Sequence, residues 1–248
     1  VCTVVVSIDP DAEWPVVLLG LRDESPSRPW DPPGAWWPDL GTHVRGIHDQ
    51  EAGGAWLAVR DDEQRLAVVL NRAEQPAEPA GGFVSRGTIP LAAVTNGLTY
   101  EGTFPTRTFN LLNVSGATAE YAWWNGTDAG TVPLPPGVHM ITHEGPNNRS
   151  VPRVARWLDA FTSAERPTGS IADGITGASW NDWLSVLRDS AALPSNHEDA
   201  LLRAESVHGH PLASLSVTAA AIGHTTVALS HARLSSPGHL DATLDWRS

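Results

Sequence analysis

The chain has no lysine, one cysteine and one methionine in 248 residues. A lone thiol, Cys2, excludes an intrachain disulfide. The lack of lysine excludes Schiff-base chemistry on that side chain. All sixteen basic residues are arginine, a usage typical of a GC-rich genome. Long apolar runs are also missing. The longest aliphatic stretch, Val16 to Leu21, is strand-sized, far short of the roughly 20 residues that a spanning helix needs. No basic segment opens the chain, and Asp9 and Asp11 arrive early, so no secretory signal is expected. Positive charge is scarce, 16 basic against 28 acidic residues, for a net charge of −12. Nonspecific attraction to nucleic acid or to an anionic membrane is therefore disfavoured. A cytoplasmic protein without nucleic-acid partner or membrane span is expected, and the sequence leaves its oligomeric state open.

Hydrophobic residues make up 41% of the chain and charged residues 18%. Such a composition supports a globular core without covalent staples. The first half carries strand patterns. Thr3 to Ile8 is β-branched and ends at Asp9-Pro10; Val16 to Leu21 follows as its hairpin partner. The segment from Pro26 to Asp39 is rich in proline and tryptophan and is expected to be an ordered loop that buries Trp30, Trp36 and Trp37. Ala55 to Val59 and Leu66 to Leu70 form a second hairpin. Ile89 to Asn96 is expected to be a short helix stopped by Gly97. Phe109 to Val114 and Ala119 to Trp124 flank a Ser115-Gly116 turn, and Val138 to Thr142 is a further strand.

The period then changes. Val151, Val154, Leu158 and Phe161 share a helical face behind Pro152. Trp180, Trp183, Leu184 and Leu187 share another, with Ser179 as N-cap and Asp182 three residues on. Ser195 and Glu198 form a capping box ahead of Leu201 and Leu202. Strand patterns return at Leu215 to Thr218, Thr226 to Ser230 and Ala242 to Trp246. Strands, helices and strands again predict one α+β domain, residues 1–248, whose termini share a sheet.

Two features carry chemistry. Cys2 opens a strand. If the residue ahead of it is removed, Cys2 holds a free α-amine beside its thiol, with ordinary pKa values of about 7.7–8.0 and 8.5. Base and nucleophile then share one residue. By position alone, the ordinary role of a small buried strand residue is the favoured reading of Cys2. The second feature is Gly20-Leu21-Arg22-Asp23-Glu24, where alternation puts Arg22 and Glu24 on one face and Asp23 on the other. A carboxylate there can orient an amine, and an arginine can bind a substrate carboxylate; local ion pairing at a hairpin end is the plain alternative.

These residues, with others in order, resemble a known family. The set is Cys2-Thr3-Val4-Val5-Val6, Arg22-Asp23-Glu24, Arg28-Pro29, Trp36-Trp37, Gly53-Gly54-Ala55-Trp56-Leu57-Ala58, Asn71-Arg72, Ser85-Arg86-Gly87 and Phe109-Asn110-Leu111. It is similar to the NRDE family, also called transport and Golgi organisation protein 2. The resemblance implies an N-terminal-nucleophile hydrolase-like fold: a four-layer αββα sandwich of two antiparallel sheets flanked by helices. It implies Cys2 as nucleophile, Asp23 as the group that holds its amine and Arg22 as a substrate or structural contact. Asn71 and Asn110 are candidate oxyanion donors. Glu24, Arg86 and Trp56 complete the expected substrate-contacting set.

The chain departs from the family pattern in places. Leu21 replaces the signature asparagine. His143 stands where an asparagine would be a second oxyanion donor, and it retains one donor for that role. Pro211-Leu212-Ala213 replaces a Gly-Thr-Arg, so an arginine of the related amidases is missing. These changes resemble a divergent bacterial, actinobacterial-type branch. Two histidine pairs, His139 with His143 and His208 with His210, are candidate metal or haem ligands, although no standard zinc spacing accompanies them. Two readings result. One is a cysteine hydrolase of a small acyl amide or thioester, with no metal or other cofactor. The other is a non-catalytic haem or acyl-CoA and lipid carrier on the same scaffold.

Overall fold

The computed structural model describes residues 2–99, 102–171, 180–207 and 209–248. Strands β1 (Thr3–Ile8) and β2 (Val16–Glu24) form the first hairpin. A meander follows: β3 (Trp30–Gly34), β4 (Val44–Asp49), β5 (Ala55–Arg60), β6 (Arg65–Asn71), helix α1 (Thr88–Thr95), β7 (Phe109–Ser115), β8 (Thr118–Trp124) and β9 (Ala129–Pro133). Then come β10 (Gly137–Thr142), β11 (Gly145–Pro146), helices α2 (Pro152–Ser163) and α3 (Asn181–Ala191), β12 (Ala204–Val207), β13 (His210–Ile222) and β14 (Val227–Arg233).

Both sheets are antiparallel. The first runs β11-β10-β1-β2-β13, and β13 pairs β12 along one half and β14 along the other. The second is β3 to β9 in chain order. N- and C-terminal strands thus share a sheet, as the strand–helix–strand order predicts.

Period-2 alternation explains the layering. In β1, Val4, Val6 and Ile8 join the core between the sheets, while Val5 joins the core beneath α2 and α3. In β2, Leu18 faces the first core and Val17 and Leu19 the second. The strands are apolar on both faces because both faces are covered. The amphipathic helices α2 and α3 supply Val154, Leu158, Phe161, Trp183 and Leu187 to the outer core. Each such side chain contributes about 1.5–3 kcal/mol by leaving water. Helix α1 packs on β5, β6 and β7 of the second sheet. The result is the αββα sandwich.

Several sequence expectations need correction. The segment 26–39 is not wholly irregular, because β3 lies within it. Pro32 and Pro33 lack N–H groups, and β3 tolerates them because it is a sheet edge. Trp36 is not buried: it is 42% exposed, stacked on His48, with its indole N–H donating to the Pro32 carbonyl at 2.9 Å. Strands β4 and β9 escape the pattern reading. A bulge after Gly46 breaks alternation in β4, and β9 is the other edge. Ser195 and Glu198 start no helix. Leu201 and Leu202 are buried through turns, with the Leu201 N–H donating to Ser190 Oγ at 2.8 Å and the Ala204 N–H to the Ser195 carbonyl at 3.0 Å. Residues 242–246 form no strand; the C-terminal segment reaches β14 through a single bridge between His231 and Arg247. The Ser179 cap lies outside the described residues.

Asn110 on β7 ties the two sheets together. It is fully buried, donates to the carbonyls of Thr142 (2.7 Å) and His143 (3.1 Å), and accepts from Tyr121 (2.7 Å) and Arg72 (2.7 Å). Asn110→Ala should cost about 3 kcal/mol in urea unfolding, because several buried polar groups lose their partner together. A loss below about 0.5 kcal/mol would count against this bridge.

His231 sets an acid limit. It lies buried on β14 against Trp30, and burial, followed by the charges of Arg233 and Arg22, pushes its pKa down from 6.5 to about 4. The fold holds it neutral, while the unfolded chain protonates it more readily. Its stabilisation is therefore complete above about pH 6.5 and is lost as pH falls toward 4, by up to roughly 3 kcal/mol. His231→Phe should flatten that limb of the stability–pH curve; an unchanged limb would assign it to other groups.

Candidate functional site

The register of the first hairpin sets the site. Thr3 pairs with Leu21, which carries Cys2 alongside Arg22 and Asp23. The Asp23 N–H donates to Cys2 Sγ at 3.3 Å, and the thiol donates back to the Asp23 carbonyl at 3.5 Å. From the other side of β2, Ser214 on β13 pairs with Asp23, and its hydroxyl donates to Asp23 Oδ1 at 2.5 Å. A bulge between Ser214 and Ser216 falls beside this pair. Cys2 and Asp23 are both nearly buried, at 7% and 6% exposure.

Cys2 lines a cavity of about 400 Å³. Arg22, Asp23 and Glu24 from β2, Trp56 from β5, and Val69 and Asn71 from β6 line it too. So do Arg28, Asp49, Arg107 and the turn Ser85–Arg86–Gly87. That turn is pressed onto β5 by two glycines. A Cβ on Gly54 would lie 2.5 Å from the Gly87 carbonyl carbon, and one on Gly87 would lie 2.9 Å from Gly54 Cα. Only with both positions bare does the Ala55 N–H reach the Gly87 carbonyl at 2.8 Å. Arg86 is thereby held at the cavity, its NH1 donating to the Thr108 carbonyl at 3.0 Å.

The electrostatics are divided. Arg22 is 3% exposed, lies 3.7 Å from Glu24 and rests 5.5 Å over the Trp30 ring. Arg28 pairs with Asp49 at 2.7 Å and Glu51 at 2.8 Å. Burial, then the negative charge of Asp23, pushes the Cys2 thiol up to about 11. At neutral pH the sulfur is protonated and needs a base before it can attack a carbonyl. A larger cavity, about 760 Å³, lies between Trp30, β14 and the C-terminal segment; Cys2 does not line it.

The family model described as Transport and Golgi organisation 2 matches residues 1–226. The chain belongs to the Transport and Golgi organisation 2 family. No curated protein matches the chain directly. The backbone is similar to the solved structure of the Caenorhabditis elegans N-acylethanolamine-hydrolyzing acid amidase ortholog. That likeness spans 91% of this chain and 98% of that one, at 9% sequence identity and a TM-score of 0.48.

Of the residues singled out in this Transport and Golgi organisation 2 chain, Cys2, Arg22, Asp23, Glu24, Trp56, Asn71 and Arg86 meet around one cavity. Asn110 does not line it. Both its amide hydrogens are engaged by the carbonyls of Thr142 and His143, so it has no donor left for an oxyanion. His143 does not line it either. It follows the end of β10, half-buried, with Nε2 at 3.6 Å from Glu144 and its pKa lowered by burial and then by Arg153. The His139–His143 pair does not converge: His139 Nε2 meets the Pro135 carbonyl at 2.8 Å and its Nδ1 meets Asn147 at 2.9 Å. His208 lies outside the described residues, and His210 is exposed. Among the described residues, no three of His, Cys, Asp and Glu cluster to hold a metal. Among them also, no helix is long and apolar enough to cross a membrane.

Sequence reasoning missed three contributors. Ser214 follows the substituted Pro211-Leu212-Ala213 segment, and only the β13 register reveals its bond to Asp23. Arg107 lies in an unpatterned stretch ahead of β7. Arg153, 4% exposed on α2, is disfavoured as a cation by burial, and the charge of Asp23 works against that. A signal for it existed: a charge beside Val154 on a helix whose apolar stripe includes Trp157.

The raised thiol pKa has a measurable consequence. With a residue still attached ahead of Cys2, alkylation by iodoacetamide at pH 7 should run on the order of 100-fold slower in folded than in denatured protein. Its rate should climb with pH toward about 11. Rapid labelling of that unprocessed form at pH 7 would contradict a buried, protonated sulfur.

Proposed function

We propose that this protein is a cysteine amidohydrolase or thioesterase of the N-terminal-nucleophile kind, acting on a small acyl substrate. The observation that carries the reading is the meeting of Cys2, Asp23 and a substrate-sized cavity at the start of β1. The reading requires that cleavage ahead of Cys2 free its α-amine.

In that form the amine is the base that the protonated thiol lacks. It takes the Sγ proton as sulfur bonds to the substrate carbonyl carbon. Asp23, held by Ser214, is the carboxylate that orients the resulting ammonium. The oxyanion forms beside Asn71, the one carboxamide among the lining residues. The ammonium then protonates the leaving amine or thiol as the C–N or C–S bond breaks, which leaves an acyl thioester on Cys2. Water attacks that thioester, with its proton passing to the amine and then to Sγ, and the acid product leaves. A neighbouring base offsets the upward push that burial gives the thiol, because proton transfer and attack are coupled.

The haem-carrier alternative gains nothing from the His139–His143 pair. His139 has both ring nitrogens engaged, and neither His139 nor His143 lines either cavity described above.

Intact-mass measurement of protein from its native host should give a chain beginning at Cys2, and retention of a preceding residue would end the amine-relay mechanism. Processed protein screened against acyl-amide and acyl-thioester libraries should release acid. Cys2→Ser should lower that turnover at least about 100-fold, and Asp23→Asn should lower kcat more than it raises KM. Turnover that survives Cys2→Ser would assign the reaction elsewhere.

A further inference from the structure

The Cys2 cavity runs against the charge of the whole molecule. Four of the chain's sixteen arginines line it, against three of its 28 acidic residues. Two of the four are neutralised, Arg22 by Glu24 and Arg28 by Asp49 and Glu51. Arg86 and Arg107 pair with no carboxylate among the described residues. Arg86 gives NH1 to the Thr108 carbonyl, which leaves its Nε and NH2 edge without an acceptor among the described residues. Among the described residues, Arg107 reaches Gln75, at 3.4 Å, and the Phe83 ring. Burial and then the charge of Arg107 work against the Arg86 cation; Glu24 offsets them only in part and from a distance, with no ion pair to Arg86 among the described residues.

Two lining residues have a buried polar atom without a partner: Arg22 NH1 and Trp56 Nε1. Both are donors that cannot accept a hydrogen bond. Among the described lining residues no buried side-chain acceptor is left unpartnered. A cavity with surplus positive charge and an arginine edge that meets no acceptor among the described residues suits a ligand that supplies acceptors and negative charge.

We infer that the acyl substrate carries an oxyanionic group, carboxylate or phosphate, bound by the free edge of Arg86 with Arg107 beside it. The inference rests on the hydrolase reading for the position of the scissile bond, but anion binding itself does not. A planar guanidinium edge matches a carboxylate bidentately, and a phosphate nearly as well. Arg86 thus fixes which end of the substrate enters, and the acyl carbon is left toward Cys2.

The test uses the full-length Cys2→Ala chain and isothermal titration calorimetry, so that binding is read without turnover. The probes are N-octanoylglycine, N-octanoyl-O-phosphoethanolamine and the neutral N-octanoylglycinamide. At least one anionic probe should bind about tenfold or more tightly than the neutral one, and the tighter of the two identifies the oxyanion. Arg86→Gln should reduce that preference below about threefold while leaving the neutral probe unaffected. Arg86→Lys, which keeps the charge but loses the fork, should retain only part of it. Arg107→Gln, at an exposed position, should weaken anion binding without changing the melting temperature. Equal binding of anionic and neutral probes, no binding of any, or a preference that survives Arg86→Gln in a folded variant would each overturn the inference. An anion preference without hydrolysis in the Cys2 protein would instead remove only the catalytic reading.

Discussion

Everything at the site depends on one antiparallel register. Thr3 opposite Leu21 brings the sulfur of Cys2 onto the peptide of Asp23, and the next pairing brings Ser214 onto the Asp23 carboxylate. A slip of one residue would turn every side chain of β1 to the other face and exchange Val4 and Val6 for Val5 in the central core. Because both faces of that strand are buried, the hydrophobic demand of two cores fixes the register. The stability of the sandwich and the geometry of the cavity thus have the same cause.

The cavity lies at the end of the first hairpin, against β5, β6 and the turn before α1. The contact of Gly54 with Gly87 folds the turn before α1 down onto β5 and sets an arginine opposite the thiol. Polar groups that would otherwise fill the space are engaged elsewhere. Asn110 and Tyr121 bond to each other and Asn110 also to the end of β10, so they join the sheets and leave the cavity to Asn71 and the arginines. The protonated state of the thiol follows from the same burial that protects it, and that burial is why chemistry at Cys2 needs a base of its own.

Much of this was legible in the sequence. The β-branched run at Thr3–Ile8, the hairpins around 60–65 and 115–116, and the apolar stripes of α2 and α3 were read at the right places because period and turn chemistry are local signals. Edge strands were not: β3 with its two prolines and β9 with its exposed face carry no core pattern. The capping box at Ser195–Glu198 misled because Leu201 and Leu202 find burial through turns held by Ser190.

The sequence by itself determined the apolar alternation that builds two cores, since that depends on residue type and near neighbours, and its resemblance to a family singled out Cys2 and the carboxylate of Asp23 on the facing strand. The tertiary structure alone decided which polar residues face the cavity. Asn110 and Asn71 look alike in the chain, yet one is tied up between sheets and the other lines the cavity beside Cys2. Ser214, Arg107 and Arg153 come from β13, a loop and α2, and their approach to Cys2 or Asp23 depends on strand pairing and packing that no local pattern encodes.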